Sequence, residues 1–355
     1  MIASKNNYSK FFVPPKFLEM SSVAVEINEY CIRYMSVKKD KRGLLPDKYG
    51  TIAIPKGIFR AGEIVKKGEV VKILKDIAKI TDVTFARISI SEDNTYIFKT
   101  KIPKVDKEEI KQVLEFKLEE NIPLALAETV FDYQHVNKGK VRNYMDFIVS
   151  AAPLKNIQLL TEVFEEAGLA PILFRTEASN VARSVVKDNN EQTLIVVNIK
   201  EFSIALSLVI GGVVWQTSSI NFGAATFNES LRKYYDISID EAEKVKVERL
   251  YEESSDSMEI FSYLINTVSA VKDEIYRFML YCNQREDVKD RIDKIILCGK
   301  DSAIVGLQKY LELNLGVSTH VANVWVNNFL LDDYVPEMKP LESLDYVTVI
   351  GLNLD

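Results

Sequence analysis

The chain is poor in the side chains on which most metal and nucleophile chemistry rests: two histidines and three cysteines in 355 residues. His135 and His320 have no neighbouring ligands at helical or hairpin spacing, which argues against a zinc site and a histidine-based triad. Cys31, Cys282 and Cys298 stand alone, as small buried hydrophobes do in a reducing compartment. No excess of basic charge is present. The net charge is -6 and the pI near 5.4, which speaks against a nucleic-acid partner. No apolar run approaches the ~18 residues of a membrane helix. Met1 to Lys10 holds no apolar signal core, so export is not expected.

What the chain does contain is an internal repeat. Ser22-Val23-Ala24-Val25-Glu26-Ile27-Asn28-Glu29-Tyr30-Cys31-Ile32-Arg33-Tyr34 is an apolar strand, a polar turn and a second strand. The pattern returns as Leu194-Ile195-Val196-Val197-Asn198-Ile199-Lys200-Glu201-Phe202-Ser203-Ile204-Ala205-Leu206. Each copy runs into a third strand, Gly50–Ile54 and Val213–Ile220. A period this long in a chain of this size points to a duplicated domain, and the length allows each copy its own core.

Between and after the repeats the spacing predicts further elements. Gly62–Asp82 carries an amphipathic helical face, followed by strands Val83–Ser89 and Thr95–Ile102. Asp106 with Glu109 three residues on predicts a capping box for a helix that Pro123 ends. Strands Thr129–Val136 and Asn143–Ala151 join across Asn137-Lys138-Gly139-Lys140. Gly168 suits a helix C-cap, and Gly211-Gly212 a two-residue turn. Ser238 with Glu241 predicts a second capping box. One long helix is expected through Phe261, Leu264, Ile265, Val268, Val271, Ile275, Phe278, Met279 and Cys282, its apolar stripe serving as core. Phe11-Phe12-Val13-Pro14-Pro15 in the leader forbids a helix there.

Several segments in order, Phe17-Leu18-Glu19-Met20, Ile54-Pro55-Lys56-Gly57-Ile58, Leu118-Glu119-Glu120-Asn121-Ile122-Pro123-Leu124, Phe131-Asp132-Tyr133, Ile220-Asn221-Phe222-Gly223, Asp240-Glu241-Ala242-Glu243-Lys244, Ile295-Ile296-Leu297-Cys298-Gly299 and Asn323-Val324-Trp325-Val326, resemble the PilM family of type IV pilus assembly proteins, relatives of FtsA. The resemblance implies an α/β, actin-like ATPase fold: two duplicated lobes with an inserted α+β subdomain in the first. The expected division is an N-terminal extension (1–20), a first actin-like subdomain (21–61 and 152–190), an insert (62–151), a second actin-like subdomain (191–225 and 290–355) and a helical subdomain of the second lobe (226–289). The resemblance further implies a cytoplasmic adaptor, peripheral at the inner face of the membrane, that binds the N-terminal tail of a PilN-like membrane protein. A contact with the pilus motor and self-association stay open.

Such proteins hold ATP and magnesium between their lobes, and the matching positions here are Glu26, Asn28, Arg33, Asn198, Lys200, Ser203, Gly223, Gly299, Lys300 and Gly306. A phosphate-binding corner needs glycine, so that backbone N–H groups can approach the anion, and a carboxylate for the hydrated cation. The first corner keeps Glu26 but has Asn28, Glu29 and Tyr30 where glycine and small residues belong. The second has Asn198 for the carboxylate and Lys200 for the glycine. The nucleoside turn is Gly299-Lys300-Asp301-Ser302, with Gly306 retained. Lys200 either imitates a phosphate-binding lysine or, the preferred reading, places its ammonium in the empty anion site and pairs with Glu26. Glu177, at a strand-to-helix junction, suits a first-turn carboxylate better than a water-positioning role. A pseudo-ATPase is therefore expected, with no catalytic residue, no metal and no required cofactor. Function then rests on surfaces. Ile54, Ile58, Phe116, Leu118, Ile122 and Phe131 are the expected lining of the peptide groove. The alternative is an ATP-binding, FtsA-like protein that polymerises at the membrane; the acidic end Val349–Asp355 lacks the basic amphipathic helix such proteins use.

Overall fold

The computed structural model describes residues 20–60, 63–92, 95–136, 143–251, 256–285, 288 and 292–354. The aromatic leader and the loop 137–140 lie outside the described residues.

The repeat predicted from the sequence is present as two five-stranded sheets of one topology. The first lobe contains β1 (Ser22–Ile27), β2 (Cys31–Asp40), β3 (Gly43–Ala53), the short pair β4 (Phe59–Arg60) and β5 (Glu63–Ile64), α1 (Lys67–Thr81) and β6 (Phe85–Ile90). An insert follows, made of β7 (Tyr96–Pro103), α2 (Lys107–Asn121), β8 (Thr129–Val136) and β9 (Tyr144–Pro153). The lobe resumes with α3 (Leu154–Glu166), β10 (Ala170–Thr176) and α4 (Glu177–Val185). The second lobe contains β11 (Thr193–Ile199), β12 (Ile204–Ile210), β13 (Val213–Ile220), α5 (Ala224–Tyr235), α6 (Ile239–Arg249), α7 (Ser257–Tyr263), α8 (Ile265–Asn283), β14 (Lys294–Cys298), α9 (Leu307–Leu315) and β15 (Thr319–Val321); the chain then continues through α10 (Pro340–Ser343) to α11 (Val347–Leu352), which packs back on β1, β2, β6 and α4 of the first lobe.

The first sheet has the order β10-β6-β1-β2-β3 and the second β13-β12-β11-β14-β15. In each, three antiparallel strands continue into two parallel ones. In the second sheet the central parallel strands are buried on both faces and are apolar over Leu194–Val197 and Ile295–Cys298.

The insert is smaller than 62–151. β6 pairs parallel with β1, Val23 opposite Ala86 and Val25 opposite Ile88, so it is a central strand of the first lobe. The buried face of α1 (Val70, Leu74, Ile77) shares a core with Val23, Val25 and Phe164. The insert proper is the three-stranded sheet β7-β9-β8 with α2 packed on it through Leu114 and Leu118.

Local chemistry decides several element ends. Ser238 and Glu241 form the expected capping box, the Glu241 carboxylate accepting from the Ser238 N–H at 2.9 Å. Asp106 occupies the N-cap of α2, but its side chain makes no capping bond. Gly211 and Gly212 turn at φ of +60° and +75°. The long helix expected through Phe261–Cys282 is broken: the Leu264 N–H bonds to the Phe261 carbonyl, a tight turn that separates α7 from α8 and leaves Ile265 exposed, while the rest of the expected stripe stays buried.

On the first lobe α4 and α11 cross at close range. A Cβ on Gly351 would lie 1.8 Å from the Asn180 carbonyl oxygen, so only glycine permits this approach.

Candidate functional site

The two β-corners, β1–β2 and β11–β12, face each other across the lobes. At the first, the Asn28 carboxamide oxygen accepts from the N–H groups of both Tyr30 and Cys31 at 2.9 Å. These are turn amides of the kind that bind phosphate in such corners; here the chain's own side chain satisfies them. Asn28 does not use the left-handed region open to it, since Asp82, Asn189 and Asp236 are the only non-glycine residues at positive φ among those described.

At the second corner the Lys200 N–H bonds to the Ser203 carbonyl at 2.9 Å. The carbonyls of Lys200 and Glu201 receive the N–H groups of Ala224 and Ala225, the first turn of α5. That approach requires Gly223, whose Cβ would lie 2.5 Å from the Lys200 oxygen. The tips of the corners meet: the Tyr30 and Phe202 rings are 4.1 Å apart with a tilt of 30°.

Charges inside the cleft are paired, though not as the sequence suggested. Lys200 Nζ lies 3.1 Å from a carboxylate oxygen of Glu177, the buried first residue of α4, and not on Glu26. Geometry explains the difference. Glu26 lies opposite Arg33 on the neighbouring strand, and the guanidinium takes it at 3.8 Å. Burial pushes the Glu26 carboxyl up to about 7, with Glu177 and Asp345 adding to the rise and Arg33 and Lys200 opposing it. Asp345 is also raised, again chiefly by burial.

The turn Gly299–Ser302, expected from the sequence to match a nucleoside turn, is filled from within the second lobe. Asp301, 2% exposed, accepts from Lys246 Nζ at 2.9 Å and from the Tyr251 hydroxyl at 2.6 Å. Lys246 also meets Glu243 at 2.8 Å, and Lys300 meets Glu243 at 3.4 Å. Gly299 and Gly306 serve packing: their Cβ atoms would lie 2.1 Å from the Ile199 oxygen and 3.0 Å from the Phe261 ring. Asn198, on β11, is buried opposite Ala205 and Cys298. In this geometry the residues do not fit a magnesium nucleotide. The first corner's donors are engaged, Lys200 of the second corner is paired with Glu177, and two rings meet between the corner tips.

A second concave site lies beside the insert. A cavity of about 350 Å³ is walled by Val130–Gln134 of β8, by Phe174–Thr176 of β10, by Ser179 and Arg183 of α4, and by Gly212–Val214 of the second lobe. β8 and β10 are each the edge strand of their sheet. Of the six residues expected to line a peptide groove, only Phe131 is here. Leu118 and Ile122 belong to the core of the insert, and Ile54 and Ile58 to that of the first lobe. Phe116 is exposed on the outer face of α2. Apolar residues at helical spacing fill their own domain before they serve a partner.

The sequence profile of the type IV pilus assembly protein PilM family matches residues 24–355. The chain belongs to the PilM family. Its fold is that of a PilM from a PilM–PilN type IV pilus biogenesis complex, with a TM-score of 0.75 at 16% identity over 94% of this chain and 97% of that one. The ethanolamine utilization protein EutJ of Carboxydothermus hydrogenoformans follows the same fold at a TM-score of 0.55 and 14% identity, over 96% of this chain and 89% of that one. MreB5 of Spiroplasma citri, bound to AMPPNP, gives 0.54 at 13% identity over 95% of each chain. The actin-like architecture with two lobes and an insert is thereby established.

In this PilM-family chain, Tyr30, Phe202, Lys246, Tyr251 and Asp345 are cleft residues that motif matching does not select. The signal for two of them is in the repeat itself. Aligning Glu26-Ile27-Asn28-Glu29-Tyr30 with Asn198-Ile199-Lys200-Glu201-Phe202 puts an aromatic at the same place in both corners.

Proposed function

We propose that this chain is an adaptor of type IV pilus assembly that holds the extended N-terminal tail of a PilN-like membrane protein in the cavity between the insert and the first lobe. Family membership supports the pilus assignment. The observation that carries the peptide reading is the open edge of β8, which among the described residues pairs only with β9 and borders that cavity. An extended segment can add its backbone to such an edge and send alternate side chains into the cavity. The volume suits a few side chains. Residues alternate along β8, Val130 and Asp132 outward and Phe131 and Tyr133 toward the insert core.

We further propose that the protein is a pseudo-ATPase whose cleft needs neither ATP nor magnesium. The engaged amides of Tyr30 and Cys31, the Lys200–Glu177 pair and the Tyr30–Phe202 contact support this reading. No helix among the described residues is long and apolar enough to cross a membrane. Attachment to the inner face of the membrane would then come through the partner. The buried packing of α11 against α4 means that this helix is not the lipid-facing helix of the FtsA-like alternative.

Fluorescence anisotropy with a labelled N-terminal peptide of a PilN-type protein tests the adaptor reading. Val130→Glu, at a half-exposed edge position, should abolish binding and leave the melting temperature unchanged. Equal binding by the variant would reject this groove.

A further inference from the structure

We infer that the Lys200–Glu177 ion pair sets the shape of the peptide groove from the cleft side, which makes Lys200 a positioning residue for partner binding. This rests on the adaptor reading above and extends it to the regulation of that site. The groove is not contained in one domain. Its walls come from the insert, from β10 and α4 of the first lobe, and from Gly212–Val214 of the second lobe. Its shape therefore depends on how the lobes sit, and α4 is where cleft and groove meet. Glu177 is the first residue of that helix and faces the cleft; Ser179 and Arg183 on the same helix line the groove.

The helix is short and firmly held, so a change at its start is not absorbed along its length. Thr176 caps it, its hydroxyl oxygen accepting from the Ser179 N–H and its hydroxyl donating to the Ser179 hydroxyl oxygen at 2.8 Å. Ser184 bonds to the Val324 carbonyl at 2.7 Å, and Asn180 is pressed against Gly351. On the other side of the pair Lys200 is fixed to the second lobe. Its N–H bonds to Ser203 and its carbonyl accepts from Ala224. The ammonium at 3.1 Å from a carboxylate that is 5% exposed is thus a tie between a helix of one lobe and a corner of the other. A buried carboxylate deprived of its counter-ion must move toward water or take up a proton. Either response releases the tie, and the first turn of α4, with Thr176 and Ser179 in the groove wall, is then no longer held to the second lobe through Lys200. The chain carries this tie in its own side chain.

The test compares peptide affinity, by the same anisotropy assay, in the wild type, Lys200→Ala, Lys200→Arg, Glu177→Gln and Lys300→Ala. Glu177→Gln is isosteric and keeps the fold if Lys200→Ala does not. The inference predicts on the order of tenfold weaker binding for Lys200→Ala and Glu177→Gln, recovery in Lys200→Arg, and wild-type affinity in Lys300→Ala, which removes a cleft charge without touching α4. Folded Lys200→Ala and Glu177→Gln that bind as the wild type does would overturn it, as would an equal loss in Lys300→Ala. A wild type that binds no peptide would instead overturn the adaptor reading and this inference with it.

Discussion

The Tyr30 ring rests against the Phe202 ring at 4.1 Å, joining the tip of one lobe's corner to the tip of the other's. The two residues occupy equivalent positions in the repeat, so the duplication itself supplies both halves of the contact.

The pair should be energetically coupled. Both rings are about half exposed, which puts the expected coupling near the low end of the aromatic range, about 0.5 kcal/mol. Urea denaturation of Tyr30→Ala, Phe202→Ala and the double variant gives that number directly. Additive losses would mean that the rings merely lie side by side.

Stability should depend on pH through Glu26. Burial lifts its carboxyl to about 7, above the value of the unfolded chain. Between those values the native state holds a proton that the unfolded chain has released. Stability is therefore highest below the unfolded value and falls as pH rises toward about 7. Glu26→Gln should flatten the decline between pH 5 and 8 by up to about 3 kcal/mol. Parallel profiles for the two proteins would remove Glu26 as the source.

Lys246 should be a large stability determinant. It is 1% exposed and bonds to Asp301, itself 2% exposed. Lys246→Met strands that carboxylate and should cost about 3–5 kcal/mol, with much of the loss recovered by adding Asp301→Leu. A loss below 1 kcal/mol in calorimetric melting would show that Tyr251 alone satisfies Asp301.

The duplicated strand-turn-strand corners are legible in the sequence because strand alternation and turn residues are local. So are the Ser238–Glu241 box and the Gly211-Gly212 turn. The extent of the insert is not, since the pattern of Phe85–Ile90 says strand without saying which strand it pairs with, and its partners β1 and β10 are distant in sequence. The missing glycines at both corners are plain to see, yet the partner chosen by Lys200 depends on where α4 begins. Ile54, Ile58, Leu118 and Ile122 are a similar case: they have the composition of a docking surface and of a core, and only packing shows that they lie in cores.

If the chain's own side chains close the cleft, isothermal titration of the purified protein with magnesium ATP gives no saturable heat, and the nucleotide leaves the melting temperature unchanged. Saturable binding with micromolar affinity would show instead that the cleft is open to nucleotide.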